Sequence, residues 1–179
     1  MAGYVGIPNT QLMKSARPAL LQFSSVAELY RHFERIFLNG RISRELTFPC
    51  GHDIHIFDHH FFHLVKLDDV NKPKPLKMVD EKTSILSAVT GFGAYTYDKQ
   101  RSLYLESAMI CLAYPDEVWE DPTLDSAKWV YLKYFDTKPY SCTIMLVGER
   151  GGKGPVPITS FPGKDRDARK WRRGVKIYP

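Results

Sequence analysis

Three stretches in the C-terminal half constrain the fold of this chain most. They are "KWVYLKYFD" (128–136), "YSCTIMLVGE" (140–149) and "PVPITSFP" (155–162). Each alternates apolar and polar residues or is rich in β-branched and aromatic ones, as strands are. A turn near Asp136 to Pro139 joins the first two, and the glycine-rich "RGGKG" joins the second and third, so the run reads as antiparallel hairpins. The segments before them have helical spacing. "SSVAELYRHFERIFLNG" (24–40) places Val26, Leu29, Tyr30, Phe33, Ile36 and Phe37 on one face. Ser25 and Glu28 are spaced as a capping box, and Asn39-Gly40 is a stop. His32 on this helix is expected at the surface. A second, strong helix is expected from Asp98 to Ala113, ended by Pro115. Helices first and an antiparallel sheet last define an α+β class.

Between the helices the signals are weaker. Leu46 with Phe48, and Ile54 with Ile56, alternate as short strands around a turn at Pro49-Cys50-Gly51. Periodicity changes at Asp58, and Phe61, Phe62, Leu64 and Val65 suit a short helix capped by Asp58. Residues 68–83, with two prolines and many charges, read as a linker. Ser84 to Val89 suit a short helix closed at Gly91 or Gly93. The expected organisation is an N-terminal arm and helix (1–43), an α+β core (44–163) and a basic tail (164–179). The first 23 residues fit a disordered arm, a packing strand or a partner-binding segment.

Composition excludes several classes. The 44% hydrophobic and 13% aromatic content supports a packed core rather than disorder. There is no run of eighteen apolar residues to span a membrane and no secretory signal, so a cytoplasmic location is expected. Three widely spaced cysteines, Cys50, Cys111 and Cys142, argue against a disulfide framework. The formal charge of +5 is concentrated late: nine Lys/Arg lie from Arg150 onward, against Asp165 and Asp167. Such a run, with Trp171 inside it, fits a polyanion footprint through Arg169, Lys170, Trp171, Arg172 and Arg173, or a solvated terminus.

Three chemistries compete for the histidine-rich "GHDIHIFDHHFFHLVKL" (51–67). A zinc site would draw on Cys50, His52, His55, His59 and His63. Against it, the change of period puts His55 and His59 on different elements, and neither CxxC nor HExxH occurs. A phosphate loop at "GERGGKG" lacks the following helix. The third chemistry is metal-independent RNA cleavage, in which a 2′-OH attacks the adjacent phosphate. It needs an acid, a base, and cations or hydroxyls around the phosphorane. Histidine suits the first roles. His60 and His63, Lys66, Arg101, Lys133, Thr159 and Ser160 are the candidates. Lys133 alternates with Tyr131 and Phe135, and a cation among aromatics on an open sheet face would make an RNA platform.

The order of "HHFFHLVKL", "RSLYLESAMICLAYPDEVWED", "WVYLKYF", "YSCTIMLV" and "PITSFP", over residues 55–162, resembles the phage-associated branch of the barnase–EndoU–colicin–RelE ribonuclease superfamily. The resemblance implies helices on a curved antiparallel sheet of about four strands, with "PDEVW" as a turn. It implies RNA cleavage, often as a toxin or effector, with no metal or other cofactor. His63 would be the catalytic histidine, with His60 the competing choice. Arg101 would bind phosphate, Lys133 would stabilise developing charge, and Thr159 and Ser160 would supply hydroxyls. Both histidines lie in one segment, unlike a two-histidine EndoU pattern, so Lys133 or Arg101 could be the second partner. Implied partners are RNA, such as tRNA, and a cognate inhibitor protein. The alternatives are a non-catalytic module binding nucleic acid or protein through the basic tail, and the zinc protein.

Overall fold

The computed structural model describes residues 16–39, 53–69, 95–125, 127–149, 152 and 154–178. The expected strands around Leu46 and Phe48, the turn at Cys50, His52, the helix at Ser84–Val89 and most of the 68–83 linker lie outside those residues.

Helix α1 runs Val26–Phe33. It starts where expected because Ser25 Oγ accepts from Glu28 N, while Glu28 Oε2 accepts from Ser24 N and Oγ. It then widens into a π-helical turn over Glu34–Leu38, with Asn39 N donating to Glu34 O. Helix α2 is His60–Val65 and ends with Lys66 in the left-handed region at φ 50°. The two helices meet through rings: Phe61 lies 5.1 Å edge-on from Tyr30 and 5.4 Å from Phe33. Each ring withdrawn from water contributes about 1.5–3 kcal/mol.

A two-residue pair, β1 (Asp68–Asp69) with β2 (Tyr95–Thr96), precedes the next helices. The expected helix 98–113 is two helices, α3 (Lys99–Leu103) and α4 (Leu105–Ala113), broken at Tyr104. Asp98 caps α3 by accepting from Gln100 N and Arg101 N. Its own N donates to Val65 O, which ties α3 to the end of α2.

The main sheet contains β3 (Glu117–Glu120), β4 (Trp129–Tyr134), β5 (Cys142–Glu149), β6 (Pro155–Gly163) and β7 (Val175–Tyr178). All pairs are antiparallel, in the order β6-β5-β4-β3-β7. The α+β class holds, with two corrections. "PDEVW" is not a turn; it supplies β3, inside the sheet. Residues 164–179 are not a tail: helix α5 (Asp165–Trp171) and strand β7 are built from them, so the sheet has five strands. Gly174 makes that return possible. Its φ is +79°, and a Cβ there would lie 2.0 Å from Glu120 O.

The strand alternation sorts the core into two layers. Trp129, Tyr131, Met145, Val147 and Val118 face the N-terminal helices. Val130, Leu132, Tyr134, Cys142 and Ile144 face the opposite way, onto Ala168 of α5. Trp171 joins this second layer, 5.7 Å from the Phe161 ring. Among the described residues no helix is long and apolar enough to cross a membrane.

Candidate active site

The end of α2, the start of α3 and edge strand β6 converge. Arg101 Nη1 donates to Thr159 Oγ1 at 2.8 Å and to the His63 carbonyl at 3.3 Å. Among the described residues the carboxylate paired with it is Asp98, with Oδ2 3.9 Å from Nε. The guanidinium is thus fixed mostly by neutral oxygens, and its charge is only weakly compensated. His63 is half-buried beside it, and Lys66 is exposed one turn on. Three residues far apart in sequence therefore meet, as the nuclease reading requires.

The neighbouring histidines have other roles. His60 is buried, and its Nδ1 accepts from Phe57 N at 2.9 Å, so its neutral ring carries the proton on Nε2. That bond fixes the entry to α2. His59 stacks on Phe57 at 5.6 Å and lies 4.4 Å from the His60 ring. His55 is exposed, and its backbone N donates to Pro155 O; residues 53–57 form no strand, contrary to expectation. Asp58 accepts from His59 N and Phe61 N, while the capping position itself is His59. Among the described residues no three His, Cys, Asp or Glu side chains could hold a metal together. Cys50 and His52 are not among those residues.

The aromatic platform is not open. Tyr131 is 1% and Phe135 0% exposed: Tyr131 packs in the layer that faces the N-terminal helices, and Arg17 lies over Phe135. Neither ring can stack on a base there. Lys133, on the same strand, is buried too: its Nζ lies 2.8 Å from Asp116 Oδ1. Asp116 Oδ2 accepts from Tyr134 N. Removing Lys133 would take the cation from the largely covered Asp116 carboxylate, so a substitution at Lys133 acts on the fold as well as on any role at phosphate. Ser160 is also buried, opposite Met145 on β5, whereas Thr159 next to it is half-exposed and reaches Arg101.

Of the basic run, Arg169, Lys170 and Arg173 are exposed. Arg172 is not a free phosphate ligand. It forks onto the buried Glu117, Nη2 to Oε1 at 2.7 Å and Nε to Oε2 at 2.9 Å, and Nη2 also donates to Tyr134 Oη. Trp119 Nε1 donates to the same carboxylate. Burial opposes the Arg172 charge, but the hydrogen bonds and charges of Glu117 and Tyr134 together outweigh it and raise its pKa. Deleting 164–179 would remove a strand and a core-covering helix, so it cannot isolate a binding tail.

His32, expected at the surface, is 8% exposed. Its Nδ1 is 2.8 Å from Arg35 Nη2 and its Nε2 3.2 Å from Glu106 Oε1. Burial lowers its pKa, with Glu106 opposing. Neither described cysteine suits a nucleophile: burial pushes the Cys142 thiol up to about 12 and raises Cys111 well above its usual value. Sequence reasoning missed Asp116, Glu117 and Arg17. They carry no motif, and their partners Lys133, Arg172 and Tyr104 are remote in the chain.

At the sheet edge the structure joins a cation, Arg101, to a hydroxyl, Thr159, and to the backbone carbonyl of His63, and the fold is that of a nuclease. Residues 60–179 match the model of the phage-Barnase-EndoU-ColicinE5/D-RelE like nuclease2 family, and the chain belongs to that family. Its substrate class is therefore nucleic acid. The match includes α5 and β7, which agrees with their place in the sheet. Comparisons with curated proteins and with solved structures give no match.

Proposed function

We propose that this protein is a metal-independent endoribonuclease that cleaves RNA by 2′-OH transesterification. The observation that carries the reading is Arg101, held by Thr159 Oγ1 and the His63 carbonyl rather than by a tight carboxylate pair. A cation fixed in this way offers its remaining N–H groups to phosphate without breaking an ion pair. His63 is the base that takes the 2′-OH proton. The 2′-oxygen bonds to phosphorus, and the bond from phosphorus to the 5′-oxygen breaks. Arg101 and Thr159 stabilise the phosphorane, and the departing 5′-oxygen takes up a proton from water. The products are a 2′,3′-cyclic phosphate and a 5′-hydroxyl. His60 positions the α2 entry rather than acting on substrate. A toxin or effector role, with tRNA as target and a cognate inhibitor protein as partner, follows from the same reading.

The test is cleavage of end-labelled RNA in EDTA. Wild type cleaves, and His63→Ala falls on the order of a hundredfold while its thermal midpoint stays near wild type. A substrate deoxygenated at the 2′ position of the cut is inert. Wild-type protein that leaves RNA intact, or that cuts the deoxy position equally well, overturns the mechanism.

A further inference from the structure

We propose that Arg17 is a phosphate-binding residue, seating a phosphodiester of the nucleic-acid strand beside the β4–β5 hairpin. Residues 16–23 form neither helix nor strand, yet they are tied down. Tyr97 Oη donates to Phe23 O, and Arg17 Nη1 donates to Tyr104 Oη at 3.2 Å. The guanidinium carbon lies 4.7 Å from the Tyr104 ring centroid and 5.7 Å from that of Phe135. Nη1 is thus engaged and two rings pack against the guanidinium, but Nε and Nη2 are buried with no hydrogen-bond partner. Those two nitrogens form the side-on fork of the guanidinium, the edge that pairs bidentately with carboxylate or phosphate. A buried donor pair on a permanent cation calls for an anion.

The adjoining cavity indicates which anion. Phe135, which lies under Arg17, also lines a cleft of about 710 Å³. Lys138, Lys164 and Arg166 line it against Asp136 and Asp165, and Asp165 is already engaged by Ser141 Oγ. The excess of cations favours an oxyanion, and the volume admits a nucleotide unit. Arg17 itself does not line the cleft in this structure, and its side chain has to turn about the Phe135 ring for the fork to meet an entering strand. Position 17 lies outside the matched span of 60–179. The inference rests on nucleic acid being the substrate.

The experiment measures Kd for a 2′-O-methyl RNA strand, which 2′-OH attack cannot cleave, across a salt series. Arg17→Met keeps the stacking volume and loses the fork. It should weaken binding about tenfold and reduce the slope of log K against log salt by about 0.7. Arg17→Lys keeps the charge and so the slope, but still binds several-fold more weakly. Lys138→Ala, across the cleft, should reduce the slope in the same way. Wild-type affinity and slope in Arg17→Met overturn the proposal, as does wild-type affinity in Arg17→Lys should Arg17→Met fail to fold. Stabilisation of wild type, and not Arg17→Met, by inorganic phosphate with unchanged strand affinity also overturns it, since the seat then serves a free ion. Wild-type protein that binds no strand sinks the nuclease reading itself.

Discussion

Arg101 and Lys133 are both cations beside the sheet, and the sequence offers both as phosphate ligands. Their surroundings separate them. Lys133 ends 2.8 Å from Asp116 and its side chain is 8% exposed. Arg101 ends on a hydroxyl and a carbonyl, with its carboxylate neighbour at 3.9 Å and its side chain 24% exposed. A charge matched by a carboxylate inside a core is committed to the fold. A charge held by neutral acceptors at an edge remains available to an incoming anion. Arg172, forked onto Glu117, belongs with Lys133 despite its place in the basic run.

This contrast is open to mutation. The largest effect should come from Lys133→Ala, which takes the cation from the largely covered Asp116 and leaves it only the Tyr134 N–H, and should cost about 3 kcal/mol of stability. Urea denaturation would measure it. Replacing both partners, as Lys133→Met with Asp116→Leu, should recover much of the loss. Arg101→Ala should reverse the pattern, with cleavage down on the order of a hundredfold and a nearly unchanged urea midpoint. A stable Lys133→Ala that has lost cleavage would break the division between the two. Arg172→Ala should destabilise less than Lys133→Ala, about 1–3 kcal/mol, since its side chain is 36% exposed.

The smallest effect sharpens the comparison with a third group. Burial lowers the pKa of His32 from the usual 6.5, so the folded state disfavours its charge. Below the unfolded value the unfolded chain binds more protons. Stability is therefore fully present above about 6.5 and is lost as pH falls toward the lowered folded value. Urea midpoints at pH 7.5 and 5.5 should differ more in wild type than in His32→Gln. Equal differences would show that His32 is not the group responsible.

Periodicity exposed what local patterns control. Helix α1, its Ser25 cap and strands β4 to β6 depend on spacing within one segment, and they were legible. Strand β3 was not. Asp116 and Glu117 read as a polar turn because the cations that neutralise them, Lys133 and Arg172, lie 17 and 55 residues away. The same distance concealed the burial of Lys133 and of the Tyr131 face, since nothing in an alternating strand says which side a helix covers. The basic run misled for a related reason: "VKIY" is too short to outweigh the charges around it. The site was half legible. Residue chemistry offered His60, His63, Arg101, Lys133, Thr159 and Ser160 alike; the fold joins Arg101 to Thr159 and to the His63 carbonyl, and buries His60, Lys133 and Ser160.

The return of the chain at Gly174 has a consequence for how this surface can change. Exposed cations on α5 such as Arg169 and Lys170 can be exchanged at little cost to the fold, because they project into solvent. Gly174 cannot, because even a methyl group would collide with the Glu120 carbonyl and unseat β7. A change of charge in this region therefore leaves the backbone turn at Gly174 as the point about which the surface has to be rebuilt.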